Sequence, residues 1–277
     1  MAVEDGGSDR TRRDKAELID TTVPNPARAV DYVHGGTNNF EADRKAVRAM
    51  LAVAPVAGML APAEHAFHRR VVRFLVAEAG VRQFLDIGTS LAVDGNTHDV
   101  AQSMDPRCRV VYVDSDPMVL AHARALLRSR PEGAVGYLDE DTRDSGAIIA
   151  GAAATLDFAR PVAVMLTAMS TLAYIADLTA ASALVSSLLA AMPSGSYLAL
   201  YHLASDLHPA MAAVARRWNQ ASSQPVTPRS REQVATLVAG LDLVPPGLVP
   251  ICDWRPAADD PSFADVVPVY GVVARKP

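Results

Sequence analysis

From residue 82 to residue 202 the chain alternates short, β-branched apolar runs with longer segments whose apolar positions recur at helical spacing. Short apolar runs bounded by turn residues predict buried strands, and the 3.6-residue period predicts helices. The order is strand 82–87, helix 97–104, strand 109–114, helix 117–130, strand 134–138, helix 144–151, strand 161–167, helix 178–191 and strand 196–202. That rhythm predicts an α/β fold, a parallel sheet with helices on both faces. Upstream, Asn25-Pro26 opens a helix that stops at Gly35-Gly36, and a second helix runs from 40 to 53. Pro55 and Pro62 punctuate the chain before an amphipathic helix over 63–79, where Phe67, Val71, Phe74 and Leu75 share a stripe and Arg69, Arg70 and Arg73 lie on other faces. Downstream, helices near 205–219 and 229–240 lead to extended runs at 248–252 and 269–274, expected to pair as an antiparallel edge of the sheet. The expected organisation is a polar tail over 1–22, a helical cap over 23–80 and the α/β domain over 81–277.

Composition narrows what such a fold can do. With 277 residues, 50% of them hydrophobic, the chain can bury the core of one large domain. A net charge of −5 argues against nucleic acid as a partner, because phosphate binding needs a basic face. Cys108 and Cys252 lie far apart and match no metal or redox spacing, so they read as small hydrophobes and no metal is expected. The start of the chain lacks an apolar signal region, and the longest apolar run, 162–176, is short for a bilayer and carries Thr167, Ser170 and Thr171. A cytoplasmic protein without a membrane partner is the expectation. No P-loop, H-E-x-x-H or G-x-S-x-G motif occurs.

The candidate chemistry sits at strand ends. Residues 83–90 read Gln-Phe-Leu-Asp-Ile-Gly-Thr-Ser, a buried strand that closes on Asp86, turns at Gly88 and continues through Thr89. The next strand ends in Asp114, followed by Ser115-Asp116-Pro117. A glycine at such a turn lets backbone approach a ligand, and an acid ending the second strand accepts hydrogen bonds from ribose hydroxyls. An adenosine-containing cofactor follows. A dinucleotide site wants G-x-G-x-x-G, so that a pyrophosphate can sit on the helix N-terminus. Here an acid precedes a single glycine, which suits a cationic ligand: S-adenosyl-L-methionine fits and NAD fits poorly. A plain strand-end turn gives the same Asp-x-Gly pattern.

Each further candidate has a structural reading beside the functional one. Asp114 is favoured for the ribose and Asp116 for capping the helix that follows. After the third strand, Asp141 and Thr142 either meet the adenine or belong to a solvated acidic turn in which Asp144 caps the next helix. His202, at the end of the fifth strand, is a candidate base or substrate contact, or a locally bonded histidine. Tyr32, Gly35, Gly36 and Asn39 form either a lid over the cofactor or a helix-breaking turn.

These residues carry a family resemblance. The chain resembles, from about residue 24 to residue 277, the S-adenosylmethionine-dependent methyltransferases of actinomycetes formerly catalogued as a domain of unknown function. The N-terminal signature is Asn25-Pro26-Ala27-Arg28, Asp31-Tyr32, Gly35-Gly36 and Asn39-Phe40 through Asp43-Arg44. The central one is Arg82 to Thr89, then Gly95-Asn96-Thr97-His98 and Val111-Tyr112-Val113-Asp114. Gly195-Ser196-Tyr197-Leu198 with His202, Pro246 to Pro250 with Trp254-Arg255-Pro256, and the closing Val273 to Pro277 complete it. The resemblance implies a Rossmann-like class I methyltransferase sheet with an antiparallel C-terminal strand, and S-adenosyl-L-methionine as cofactor. Carried over position by position, it implies Asp86, Gly88, Asp114 and Asp141 as cofactor residues, and Tyr32, Gly35, Thr89, Ser115 and Thr142 join them as candidates from the turns read above. His202 and Tyr174 are placed toward an unidentified small-molecule acceptor, and a homodimer is expected.

Three positions depart from the family pattern. Ser90 replaces a second glycine, Glu64-His65 replaces an Asn-Arg pair, and Leu172-Ala173-Tyr174 lacks the histidine of a Leu-His-aromatic motif. All lie where cofactor and acceptor are expected to meet. They motivate a second reading, a protein of the same fold that binds the cofactor without transferring from it.

Overall fold

The structure, a computed structural model, describes residues 19–89, 91, 95–126, 128–167 and 171–277. Eight strands among these residues form one sheet: β1 (Gln83–Ile87), β2 (Arg109–Asp114), β3 (Ala134–Asp139), β4 (Ala163–Leu166), β5 (Tyr197–Leu203), β6 (Asp242–Leu243), β7 (Val249–Pro250) and β8 (Val269–Arg275). Their order is β3-β2-β1-β4-β5-β8-β6, with β7 also paired to β8. β1 to β5 are parallel, and β8 runs antiparallel to β5 and β6. The sheet is wound outward in opposite directions from β1 and β4. A crevice therefore opens beyond their carboxyl ends, where open α/β sheets bind ligands.

The helices are α1 (Pro26–Val33), α2 (Glu41–Val53), α3 (Leu60–Ala77), α4 (Thr97–Met104), α5 (Pro117–Leu126), α6 (Ser145–Ala152), α7 (Leu178–Ala190), α8 (Met211–Ala221) and α9 (Arg231–Thr236). Every residue of β1 is buried, because alternate side chains enter the apolar layers on the two faces of the sheet. Phe84 joins Phe67, Val71 and Leu75 of α3 on one face, and Leu85 and Ile87 join Ile148, Val185 and Leu188 on the other.

The N-terminal helices are tied down by polar side chains. Arg28 and Asp43 form a buried pair at 2.9 Å, and Asp43 also accepts from the backbone N of Asn25 (2.8 Å) and of Phe40 (2.7 Å). With its hydrogen bonds satisfied, such a pair fixes how two helices meet; on burial alone it is weak evidence for stability. Asp31 holds the turn between α1 and α2 by accepting from Asn38 N (2.8 Å) and Asn39 Nδ2 (2.7 Å). α2 packs on α8, so these helices close over the carboxyl side of the sheet.

Four expectations are corrected. The 269–274 run becomes β8 in the interior of the sheet, and the edge is β6, two residues long and without a readable period. The 248–252 run supplies only β7 before a 3-10 turn at Ile251–Asp253. α3 starts at Leu60, ahead of Pro62, since a proline in the first turn lacks only an N–H that has no helical partner. Arg70, expected off the apolar stripe, is buried and donates to the carbonyls of Trp254 (2.9 Å) and Ile251 (2.7 Å), which anchors the 3-10 turn to α3.

Candidate functional site

At the carboxyl rim, β1 runs into Gly88, whose φ of +81° puts it in the left-handed region. A Cβ there would stand 2.4 Å from Thr171 Oγ1, so glycine is required by backbone and by space alike. The Gly88 N–H donates to Val113 O (2.9 Å), which draws the turn against the end of β2. Asp114 accepts from Asp116 N (2.8 Å), while Asp116 Oδ1 caps α5 through Met118 N (2.8 Å). The other oxygen of Asp116 accepts from Asn25 Nδ2 (2.7 Å), joining the start of α1 to the rim. The division between Asp114 and Asp116 thus has a local cause: one carboxylate is taken by capping and the other is left on the crevice.

A cavity of about 300 Å³ lies here, lined by Gly88, Thr89, Asp114, Ser115, Thr142 and Tyr174 and closed above by Asn25 to Ala27. Two smaller cavities adjoin it. One, about 80 Å³, shares Thr89 and takes its polar groups from Asp86, His65, His68 and Thr97, although most of its exposed wall is apolar. The other, about 110 Å³ and apolar, shares Tyr174 and lies among α1, α2, α3 and α8. Glu64 lines both small cavities.

A directional hydrogen-bond chain holds Asp86. The Thr97 hydroxyl donates to Asp86 Oδ2 and accepts from His68 Nε2 (2.9 Å), which leaves His68 Nδ1 to accept from the Thr167 hydroxyl (2.8 Å). This assigns the Nε2–H tautomer to a neutral His68, whose pKa burial drives down to about 3. Burial acts oppositely on the acids, because it penalises whichever form is charged. It lifts Asp86 to about 6, Asp114 to about 7 and Glu64 to about 7. The Tyr174 hydroxyl is raised too, first by burial and then by the charges of Glu64 and Asp114. Among the described residues no lysine or arginine lines any of the three cavities. The site is therefore built for a ligand without phosphate and with positive charge.

The structure brings together on the large cavity Gly88, Thr89, Asp114, Ser115 and Thr142 with Tyr174, and it places Asp86 on the adjoining one that shares Thr89. Other candidates fall elsewhere. Asp141 lines none of these cavities, because Arg143 takes its carboxylate through Nε (2.9 Å) and Nη2 (2.7 Å). Gly35 is exposed at φ +77° in the turn that Asp31 pins, and Tyr32 packs half-buried against the core; neither lines any of these three cavities. His202 is fully buried, its Nδ1–H donating to Leu203 O (2.9 Å) and its Nε2 accepting from Arg229 Nη1 (2.7 Å). With both nitrogens committed and its pKa lowered to about 4, chiefly by burial, it matches the locally bonded histidine of the two readings given for this strand end, and it lines none of the three cavities. Ser90 lies outside the described residues. Sequence reasoning missed His68, although it stands four residues after Glu64 on the same face of α3 and polar residues there interrupt the core stripe.

No relative is found among curated proteins. Among solved structures, a DUF574 family protein from Streptomyces avermitilis is 36% identical over 94% of this chain and 100% of its own, with a TM-score of 0.88. A candidate methyltransferase from Thermobifida fusca YX is likewise 36% identical over 94% of this chain and 97% of its own, with a TM-score of 0.83. The family model described as S-adenosyl methyltransferase matches residues 12–277. The strand order, the acid-rimmed crevice and this nearly full-length match agree, and the chain belongs to the S-adenosyl methyltransferase family, whose cofactor is S-adenosyl-L-methionine.

Proposed function

We propose that this protein transfers the methyl group of S-adenosyl-L-methionine to a small-molecule acceptor, with neither nucleic acid nor membrane as partner. The observation that carries the reading is the large cavity at the switch of strand order, with Gly88 at one wall and Asp114 at the other. The residues present fit the cofactor. The buried Thr89 hydroxyl has no hydrogen-bond partner among the described residues, and a side chain at Gly88 would fill the cradle beside Thr171. Asp114 would accept from the ribose diol, with Ser115 and Thr142 near the base. The buried acids Asp86 and Glu64 favour positive charge at the other end.

When bound, the sulfonium makes its methyl carbon electrophilic. The protein's part is to align, to desolvate and to manage a proton. Asn25, Pro26 and Ala27 line the same crevice and would narrow the access of bulk water to a bound cofactor. Tyr174, common to the large and the apolar cavity, keeps its proton and so orients by donating a hydrogen bond. Isothermal calorimetry with S-adenosyl-L-methionine and S-adenosylhomocysteine, on wild type and Asp114→Asn, tests the site; absence of binding to either ligand would overturn the reading. Binding without turnover across a broad acceptor panel would favour the binding-only alternative.

A further inference from the structure

We infer that the acceptor is a small amphiphilic amine, its hydrocarbon part in the apolar cavity among α1, α2, α3 and α8 and its nitrogen against the Glu64 carboxylate; this deepens the methyltransferase reading and rests on it. The cavity is walled by groups such as Val30, Val47, Met50, Leu60 and Trp218, and Glu64 and Tyr174 are the ionisable groups on it among the described residues. Glu64 is 8% exposed, accepts a hydrogen bond from the Tyr201 hydroxyl on β5, and has no ion pair among the described residues. A carboxylate in an apolar wall with one neutral donor is costly, and a cation is what offsets that cost most fully.

Position adds to charge. Glu64 stands where the apolar cavity meets the one lined by Asp86 and Thr89, and Tyr174 joins the apolar cavity to the crevice of Asp114. A group held at Glu64 thus lies between the hydrocarbon pocket and the cofactor residues. An acidic acceptor would set two carboxyl groups together, and a neutral alcohol would leave Glu64 with no cation to favour its charged form. An ammonium meets both demands. It gives one proton to Glu64; the freed nitrogen lone pair then bonds to the methyl carbon while the carbon–sulfur bond breaks with its electron pair on sulfur. The product leaves as the methylated ammonium, and Glu64 releases its proton to solvent.

The test uses the full chain saturated with S-adenosylhomocysteine and three probes of one shape: phenethylamine, 2-phenylethanol and phenylacetate. Binding is followed by calorimetry and by tryptophan fluorescence, since Trp218 lines the cavity. Phenethylamine is expected to bind about tenfold or more tighter than 2-phenylethanol, with phenylacetate weakest. Glu64→Gln, close to isosteric, should remove about that tenfold preference and leave 2-phenylethanol within about twofold. Equal binding of amine and alcohol to the wild type would overturn the inference without recourse to any variant. So would a Glu64→Gln protein that weakens both probes alike, which is the signature of a merely structural acid. S-adenosylhomocysteine binding on the same samples keeps the two failures apart: bound cofactor with no amine preference removes the acceptor class alone, and absent cofactor binding removes the function.

Discussion

Replacing Gly88 with alanine tests whether the turn after β1 is shaped by ligand approach or is a plain strand end. Two costs add at this position. An L-residue at φ +81° loses about 1–2 kcal/mol relative to its relaxed backbone. The new methyl would stand 2.4 Å from Thr171 Oγ1 and 3.3 Å from Thr171 Cγ2, an overpacking of the kind that costs about 1–3 kcal/mol. The sum is about 2–5 kcal/mol, which for a chain of this size lowers Tm by roughly 5–15 °C. The costs are separable. Thr171→Ala removes the atom that clashes and forfeits its hydrogen bond to Ile87 O (3.1 Å), worth about 1 kcal/mol. In the double variant the clash is gone and the backbone term remains, so thermal denaturation of the four proteins should show about 1–3 kcal/mol of favourable coupling. Since Thr171 lines the large cavity, relief of the clash in the single variant drives its side chain toward the ligand, and calorimetry should find S-adenosylhomocysteine affinity reduced. A Gly88→Ala protein that melts within about a degree of wild type and binds the ligand equally would refute the reasoning.

Three further outcomes follow. Asp114→Asn should weaken S-adenosylhomocysteine by about 10- to 100-fold, the value of hydrogen bonds to a charged acceptor, without lowering Tm; unchanged affinity would remove Asp114 from the ribose. His202→Ala should lower Tm by several degrees and leave S-adenosylhomocysteine affinity unaltered, because its ring holds Arg229 and Leu203 instead of lining a cavity; lost turnover at unchanged Tm would restore it as a catalytic candidate. In the ligand-free protein the raised acids make a contribution that falls with pH: natively Glu64 and Asp114, at about 7 each, still hold protons that the unfolded chain has already released. Buried His68 and His202, lowered to about 3 and about 4, act in the opposite sense as unfolded imidazoles release theirs near about 6.5. Comparison with the Glu64→Gln/Asp114→Asn double variant, in which the histidine contribution is common, isolates the acids: the Tm of wild type relative to the double variant should fall from about pH 6 to about pH 8, and a flat or rising difference would contradict the raised pKa values.

What could be read from the chain follows from where each signal resides. β1, β2, β4 and β5 are legible because strands covered on both faces are apolar through most of their length, and the acids that end β1 and β2 are legible because parallel topology brings strand ends to one rim. The chain through Thr97, His68 and Thr167 is not, since its hydrogen bonds join residues 29 and 99 positions apart, on a helix start, a helix face and a strand end. No spacing rule spans such distances. His202 shows the converse failure: its place at the end of β5 is as expected, but Arg229, brought alongside by a backbone hydrogen bond to Leu203 O (2.9 Å), occupies the ring. Asp141 is turned to a partner two residues away, the acid and arginine of one short exposed turn closing on each other, a pairing that a local reading of the acidic turn does not rank against a ligand.

Asp86, Asp114 and Glu64 belong to different elements, and burial makes each a poor anion while the described residues of the site offer them no lysine or arginine. A fold under pressure for stability alone would replace such groups with amides or alkyl side chains of the same size. Their arrangement makes sense as one half of an interaction. Each acid that ionises against a bound cation regains the free energy its burial cost, so positive charge in the cavities stabilises the protein most in the pH range where the empty site is weakest. On the proposed reading the nucleoside crevice secures the cofactor through shape and Asp114, while the inner acids select for charge. That division of labour explains why the two smaller cavities, one bearing Asp86 and one apolar, share Glu64. It stands at the only kind of boundary where a molecule half hydrocarbon and half cation is better placed than in water.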